Sequence, residues 1–172
     1  MQDSKLATKQ RLFEIIWGEL DPNLTYVMKF EAIDRLRSLS LDERDILKVL
    51  EVLERHPDLM VRHEAAFVLL DFAEKNPSLS KKTRAVITNA LSKRARYDKS
   101  LVVRHETLEA LGYVGDESCM NLLLQSTKSR NKDIRESALF ALQLLRFRLS
   151  GAPLSELLSR YPRNSSHQPE SR

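Results

Sequence analysis

The sequence predicts an all-α protein, a short right-handed α-solenoid of about four helical pairs with an N-terminal cap helix. Four segments, which begin at Thr25, Asp58, Ser100 and Asn131, open with a residue type that caps helix N-termini. Each continues with apolar residues at helical spacing, and the segments recur at intervals of 33, 42 and 31 residues. Glycine is scarce, with four in 172 residues, which also favours helices.

The aligned copies share apolar columns that form one stripe along each helix. The eleventh position after each cap is leucine in every copy, and steps of three and four connect it to the other apolar columns. Because such a stripe faces the core, we expect these four leucines to be buried: Leu36, Leu69, Leu111 and Leu142.

Each copy is followed by a second apolar segment, so the repeating unit is helix, turn, helix, and stacked units bury what a single unit cannot. The first of these second helices is expected to begin at Ser40, where Glu43 would complete a capping box. We expect a cap helix at 3–20, repeats at about 25–56, 58–97, 100–128 and 131–160 in a single domain 1–161, and a disordered tail at 162–172.

Composition argues against a membrane-spanning, secreted or disulfide-bonded protein. The chain has no apolar run long enough for a membrane span, and its N-terminus has no hydrophobic signal core. Its single cysteine, Cys119, excludes an internal disulfide and is expected to be a packing residue. We therefore expect a cytoplasmic protein that does not contact membranes.

Charge is concentrated in one segment, residues 81–104, which carries eight basic residues and one acid, a net charge of +7 against +4 for the whole chain. Such a basic band suits nucleic-acid phosphates or an acidic partner protein, and the alternative is a solvated helix face. The band consists of Lys81, Lys82, Arg84, Lys93, Arg94, Arg96, Lys99 and Arg104.

Two His-Glu pairs, His63-Glu64 and His105-Glu106, occupy the same position in adjacent repeats. Stacked repeats bring matched positions side by side, and imidazoles with carboxylates are ligands suited to iron or zinc. The alternative is structural: two residues past the apolar stripe a helix has turned by about 200°, so these side chains would form an exposed charge ladder. The remaining histidines, His56 and His167, receive no role.

The motifs that carry a family resemblance are V-R-H-E-A-A and V-R-H-E-T-L-E-A-L-G-Y-V-G-D-E. They resemble HEAT repeats, most closely those of phycobilisome lyases, over about residues 25–158. The His-Glu pairs also resemble those of deoxyhypusine hydroxylases, HEAT-type proteins with a di-iron centre held by four such dyads in two halves. This chain has two dyads, with Phe30-Glu31 and Glu136-Ser137 at the outer positions, so four dyads would require a homodimer.

The function predicted from these features is a non-catalytic scaffold that binds a partner protein on its concave face. A solenoid offers an extended curved surface rather than a deep pocket, and this hypothesis involves no cofactor and a monomeric chain. Three alternatives stay open: an iron-dependent oxygenase or hydroxylase-like protein, nucleic-acid binding through residues 81–104, and a chromophore-lyase or chaperone role implied by resemblance. The iron hypothesis assigns the metal ligands to the two dyads: His63, Glu64, His105 and Glu106.

Overall fold

The computed structural model describes residues 2–21 and 23–151, which contain eight α-helices, one short 3-10 helix and no strand. The end of the fourth repeat, 152–160, where its second helix is expected, and the tail at 162–172 lie outside these residues. No helix in the described part of the chain is long and apolar enough to span a membrane. The helices are α1 (Gln2–Trp17), α2 (Tyr26–Arg37), α3 (Glu43–Arg55), α4 (Leu59–Lys75), α5 (Lys81–Tyr97), α6 (Leu101–Val114), the 3-10 helix Glu117–Cys119, α7 (Met120–Ser126) and α8 (Lys132–Ser150).

The four predicted caps start the first helix of each repeat. The Thr25 hydroxyl accepts a hydrogen bond from the Met28 N–H at 3.4 Å, and helices α4, α6 and α8 begin in the same way. A short side-chain oxygen satisfies a backbone N–H that has no partner within the helix. The corresponding caps are Asp58, Ser100 and Asn131.

The predicted start of α3 is wrong by two residues. Asp42, rather than Ser40, is the cap, and its carboxylate accepts hydrogen bonds from the N–H groups of Arg44 and Asp45 at 2.8 and 3.0 Å. The Asp45 carboxylate accepts the Asp42 N–H at 3.0 Å, which completes a capping box two residues after the one we expected.

Helices α2, α4, α6 and α8 pack side by side in one layer, and α3, α5 and α7 each pair with α4, α6 and α8 in turn. The four aligned leucines are all buried, which confirms the repeat alignment. Gly112 permits the close approach of α6 to α8, since a Cβ atom there would lie 2.8 Å from the Ala141 Cα. Cys119 is buried as expected, and burial raises the pKa of its thiol. The architecture is the predicted all-α solenoid.

The cap helix α1 covers the first repeat through Phe13 and Ile16, which are buried, whereas Leu6 is exposed. His56 has a structural role that the sequence did not suggest. Its Nδ1 accepts the Asp58 N–H at 3.1 Å, so its Nε2 donates to the Ile16 carbonyl at 2.9 Å. Burial lowers the pKa of this ring, which fits a neutral imidazole tying α1 to the turn between α3 and α4.

Asp98 fastens three helices at the turn between α5 and α6. Its buried carboxylate accepts hydrogen bonds from Arg62 Nε and Nη2, both at 3.0 Å, and from the Ser100 N–H at 2.9 Å. Burial by itself raises the pKa of Asp98, but these hydrogen bonds and the charge of Arg62 outweigh it, and the net pKa is lowered.

We expect Asp98→Asn to reduce the free energy of unfolding by roughly 1.5–3 kcal/mol, because it removes charge-assisted hydrogen bonds in a buried site. Urea denaturation at neutral pH measures this loss, with the exposed Asp133→Asn as the control. The folded-state pKa of Asp98 is lowered. The difference in unfolding free energy between wild type and Asp98→Asn should therefore be fully present at pH values above the ordinary aspartate pKa. It should vanish as the pH falls through the folded-state pKa of Asp98. Equal midpoints for Asp98→Asn and wild type would contradict this role.

Candidate metal centre

The two His-Glu dyads lie on α4 and α6, which are neighbours in the layer, and the structure brings them into contact. His63 Nε2 lies 3.2 Å from Glu106 Oε2, so the histidine of one repeat meets the glutamate of the next. The same offset recurs one repeat later, where the His105 Nδ1 lies 2.5 Å from the Ser137 hydroxyl. Stacking at matched positions therefore produces a ladder of side-chain pairs, as the spacing predicts.

The glutamates of the dyads are buried, which contradicts the expected exposed charge ladder. The side chains of Glu64 and Glu106 are 6% and 8% exposed, against 23% for His63 and 38% for His105. The expectation assumed one buried stripe on each helix. In the structure α4 is covered by α2, α3 and α6, and α6 by α4, α5 and α8, so positions far from the main stripe also face protein.

Glu64 has different neighbours from Glu106. Its Oε1 lies 3.5 Å from Arg37 Nη1, and its Oε2 lies 3.9 Å from His63 Nδ1. Burial raises the pKa of Glu64, and the positive charge of Arg37 opposes this effect. Arg37 is itself held by Asp71, whose carboxylate lies 2.9 Å from its Nε. Glu64 thus lies on the Nδ1 side of the His63 ring, opposite the side that faces Glu106.

The environment of His63 combines a strong partner on one nitrogen with none on the other. The hydrogen bond with Glu106 raises the pKa of His63, against the lowering effect of burial. Its Nδ1 is buried and makes no hydrogen bond among the described residues. A buried imidazole nitrogen without a partner is costly in an ordinary core and marks this ring as a functional candidate.

His105 presents its second nitrogen to a further carboxylate. The Ser137 hydroxyl donates to the Asp133 carbonyl at 2.9 Å, so its oxygen accepts the Nδ1–H of His105. The other ring nitrogen of His105, Nε2, lies 3.6 Å from Glu109 Oε1. An imidazole nitrogen and a carboxylate oxygen at this separation are ligand types that can bind one metal ion together.

One group in the described part of the chain has the donor atoms for a metal ion within 4.8 Å of one another: His105, Glu106 and Glu109. Glu106 also joins His63 to this group. Imidazole nitrogen and carboxylate oxygen are the ligand types that iron and zinc accept, so the residues present fit an iron ion. A hydrogen-bond partner on the ring nitrogen that does not bind the metal is a usual feature of such sites, and Ser137 supplies one to His105.

A surface groove of about 600 Å³ gives access to this group. Histidines and carboxylates form one part of its wall, and apolar side chains form another, so a bound molecule would meet both polar and aliphatic surface. The groove is lined by His63, Leu101, Val102, His105, Glu109, Asp133, Glu136, Ser137 and Phe140.

Four of the eight cations in the basic band have hydrogen-bond or ion-pair partners within the fold, although Lys93 itself is exposed. Arg84 donates to the Val114 carbonyl at 3.0 Å, Arg104 to the Ala95 carbonyl at 3.0 Å, and Lys93 pairs with Glu54 at 3.2 Å. Arg94 also bonds within the fold, to the Glu54 carbonyl and to Asp98. The other four cations, Lys81, Lys82, Arg96 and Lys99, are exposed. Nucleic-acid or acidic-protein binding stays a prediction that rests on these four.

Sequence reasoning missed Glu109 and Ser137 as parts of the site. Glu109 follows His105 by four residues, a spacing that places two side chains on the same face of a helix and was available as a signal. Ser137 stands in the fourth copy where the second and third have glutamate, and a comparison of repeats alone made it look like a lost dyad.

Comparison with known proteins supplies independent information on this site. Deoxyhypusine hydroxylases are similar to the chain: that of Danio rerio is 29% identical over 82% of this chain, and that of Schizosaccharomyces pombe is 26% identical over 88%. The Neurospora crassa protein is 32% identical over 77% of this chain. The chain spans 43%, 44% and 40% of the length of these three relatives, which is less than half.

A solved structure of human deoxyhypusine hydroxylase in complex with glycerol has the same fold, with a TM-score of 0.62 at 21% identity. The match covers 89% of this chain and 50% of the human one. At this level of identity the likeness concerns the fold alone.

These relatives are enzymes, and this finding contradicts the predicted non-catalytic scaffold that binds a partner on its concave face. It favours the alternative of a metal-dependent hydroxylase-like protein. The same relatives give no support to the closer resemblance to phycobilisome lyases or to a chromophore-lyase role.

The family itself is settled by a match that covers more than half of the chain. A family model described as HEAT repeats matches residues 46–143, which extend from α3 into α8 and include both dyads. The repeat columns, the helical layers and this match agree. The chain belongs to the HEAT-repeat family.

Proposed function

We propose that this protein binds an iron ion through its His-Glu dyads and is a hydroxylase-like enzyme. The observation that carries the proposal is the contact of 3.2 Å between His63 Nε2 and Glu106 Oε2, which joins the dyads of two repeats at one place. The similarity to deoxyhypusine hydroxylases supports the same assignment.

The proposed site serves one ion within one chain. Two dyads supply four side chains at most, which is enough for one ion at bond lengths of about 2.0–2.2 Å. In this proposal His105 and Glu106 hold the iron, His63 lies beside Glu106, and Glu64 lies behind the His63 ring. The chain would remain active as a monomer, whereas a four-dyad centre would require two copies.

Iron bound here would supply the activation of dioxygen that hydroxylation needs. The overall reaction converts a C–H bond into C–OH with one oxygen atom, while the other leaves as water after taking two electrons and two protons from a reductant. The roles of the chain are to hold the ion, to keep the His105 ring oriented through Ser137, and to admit substrate through the groove.

The relatives are named for deoxyhypusine, so a polypeptide that carries this side chain is the substrate to assay first. Iron-loaded protein, dioxygen and ascorbate as reductant should convert it to a product heavier by one oxygen atom, detected by mass spectrometry. The Glu106→Gln variant treated in the same way is the negative control. An unchanged substrate mass with iron-loaded wild type would contradict the proposed activity.

A further inference from the structure

We propose that Glu109 is a direct ligand of the ion, taking the place that Glu64, the glutamate of the His63-Glu64 dyad, would otherwise have. This inference rests on the proposed iron site and concerns which carboxylates form it. The resulting set is His105, Glu106 and Glu109 from α6, with His63 from α4 beside Glu106.

Distances between the donor atoms support this set. His105 Nε2 lies 3.6 Å from Glu109 Oε1, and His63 Nε2 lies 3.2 Å from Glu106 Oε2. Two ligands bound to one ion at 2.0–2.2 Å are themselves separated by about 3.0–3.5 Å, depending on the geometry. Within each pair, the two donor atoms therefore need only small side-chain movements to reach the separation of two ligands on one ion.

Hydrogen bonding fixes the orientation of the His105 ring. The Nδ1–H of His105 is donated to the Ser137 oxygen, because the hydroxyl hydrogen is already donated to the Asp133 carbonyl. This contact leaves Nε2 on the side of Glu109, 3.6 Å from its Oε1, where one metal ion can contact both atoms.

Glu64 is placed for a different task. Its carboxylate lies near Arg37 on one side and the Nδ1 of His63 on the other, away from the nitrogen that faces Glu106. The Glu64 carboxylate is 3.9 Å from this Nδ1 and makes no hydrogen bond to it. Glu64 therefore faces Arg37 rather than the proposed ion, and the two dyads are not equivalent.

The test compares Glu109→Gln with Glu136→Gln, both measured on the full chain under anaerobic conditions. Glutamine keeps the size of the side chain but removes the charge. Glu136 lines the same groove and is exposed, so its variant controls for the general effect of removing one negative charge there. The readouts are the Kd for Fe²⁺ from calorimetry and the visible absorption of the Co²⁺-loaded protein, which reports the ligands of the ion.

We expect Glu109→Gln to weaken Fe²⁺ binding by more than roughly tenfold and to change the Co²⁺ spectrum. Glu136→Gln should change the Kd by no more than about threefold and leave the spectrum unaltered, as for a single exposed charge. An affinity and a spectrum of Glu109→Gln like those of wild type would overturn the role of Glu109 while leaving the iron site intact. Wild-type protein that binds neither ion would instead overturn the proposed function, so the two failures are distinguishable.

Discussion

Replacing Glu106 by glutamine is expected to weaken Fe²⁺ binding by more than the roughly 10–100-fold that loss of an outer-sphere partner costs. Glu106 is the residue on which the site converges, because its carboxylate contacts His63 and lies within 4.8 Å of the donor atoms of His105 and Glu109. Glutamine has the same shape but a neutral and poorer donor oxygen. Calorimetric titration with Fe²⁺ under anaerobic conditions measures the effect.

The matched control for this substitution is Glu31→Gln. Glu31 stands at the same position of the first repeat, is exposed on α2 and lies beside Phe30 rather than a histidine. Its removal should leave the Kd for Fe²⁺ unchanged. Circular dichroism of both variants checks that the fold is retained, and a Glu106→Gln protein that is folded and binds Fe²⁺ like wild type would rule out Glu106 as a ligand.

The largest expected effect on stability comes from Leu111→Ala, which should lower the free energy of unfolding by about 2–5 kcal/mol. Leu111 is fully buried on α6, the helix that packs against α4, α5 and α8. Shortening its side chain removes apolar contacts and leaves a cavity that the surrounding helices cannot fill. Urea denaturation followed by circular dichroism gives the difference.

Leu124→Ala is the control for this effect, since the same truncation there removes an exposed side chain on α7. It should change the free energy of unfolding by less than about 0.5 kcal/mol. If Leu111→Ala were no more destabilised than Leu124→Ala, the leucine column would not mark the core of the repeat.

Much of the fold could be predicted because each repeat carries its own start signal and apolar stripe. Thr25, Asp58, Ser100 and Asn131 each cap a helix, as expected, since capping depends on local hydrogen bonds that the sequence specifies. The start of α3 was missed because Ser40 and Asp42 are both good caps, and local preference alone does not choose between them.

The site was harder to predict because it depends on contacts between repeats. The position of His63 and His105 in equivalent columns indicated that the dyads would be neighbours. Which atoms meet depends on the offsets between neighbouring helices: that of α4 against α6 places Glu106 on His63, and that of α6 against α8 places Ser137 on His105. The burial of the glutamates follows from helices on three sides, which a single-helix periodicity does not describe.

The central claim is that the two repeats hold iron through their paired histidines, and elemental analysis of the protein tests it most directly. Wild type and a His63→Ala, His105→Ala double variant are loaded with Fe²⁺ under anaerobic conditions, desalted and measured for iron. We predict one iron per chain in wild type and none in the double variant. Absence of iron from wild type, or equal iron in both proteins, would contradict the claim.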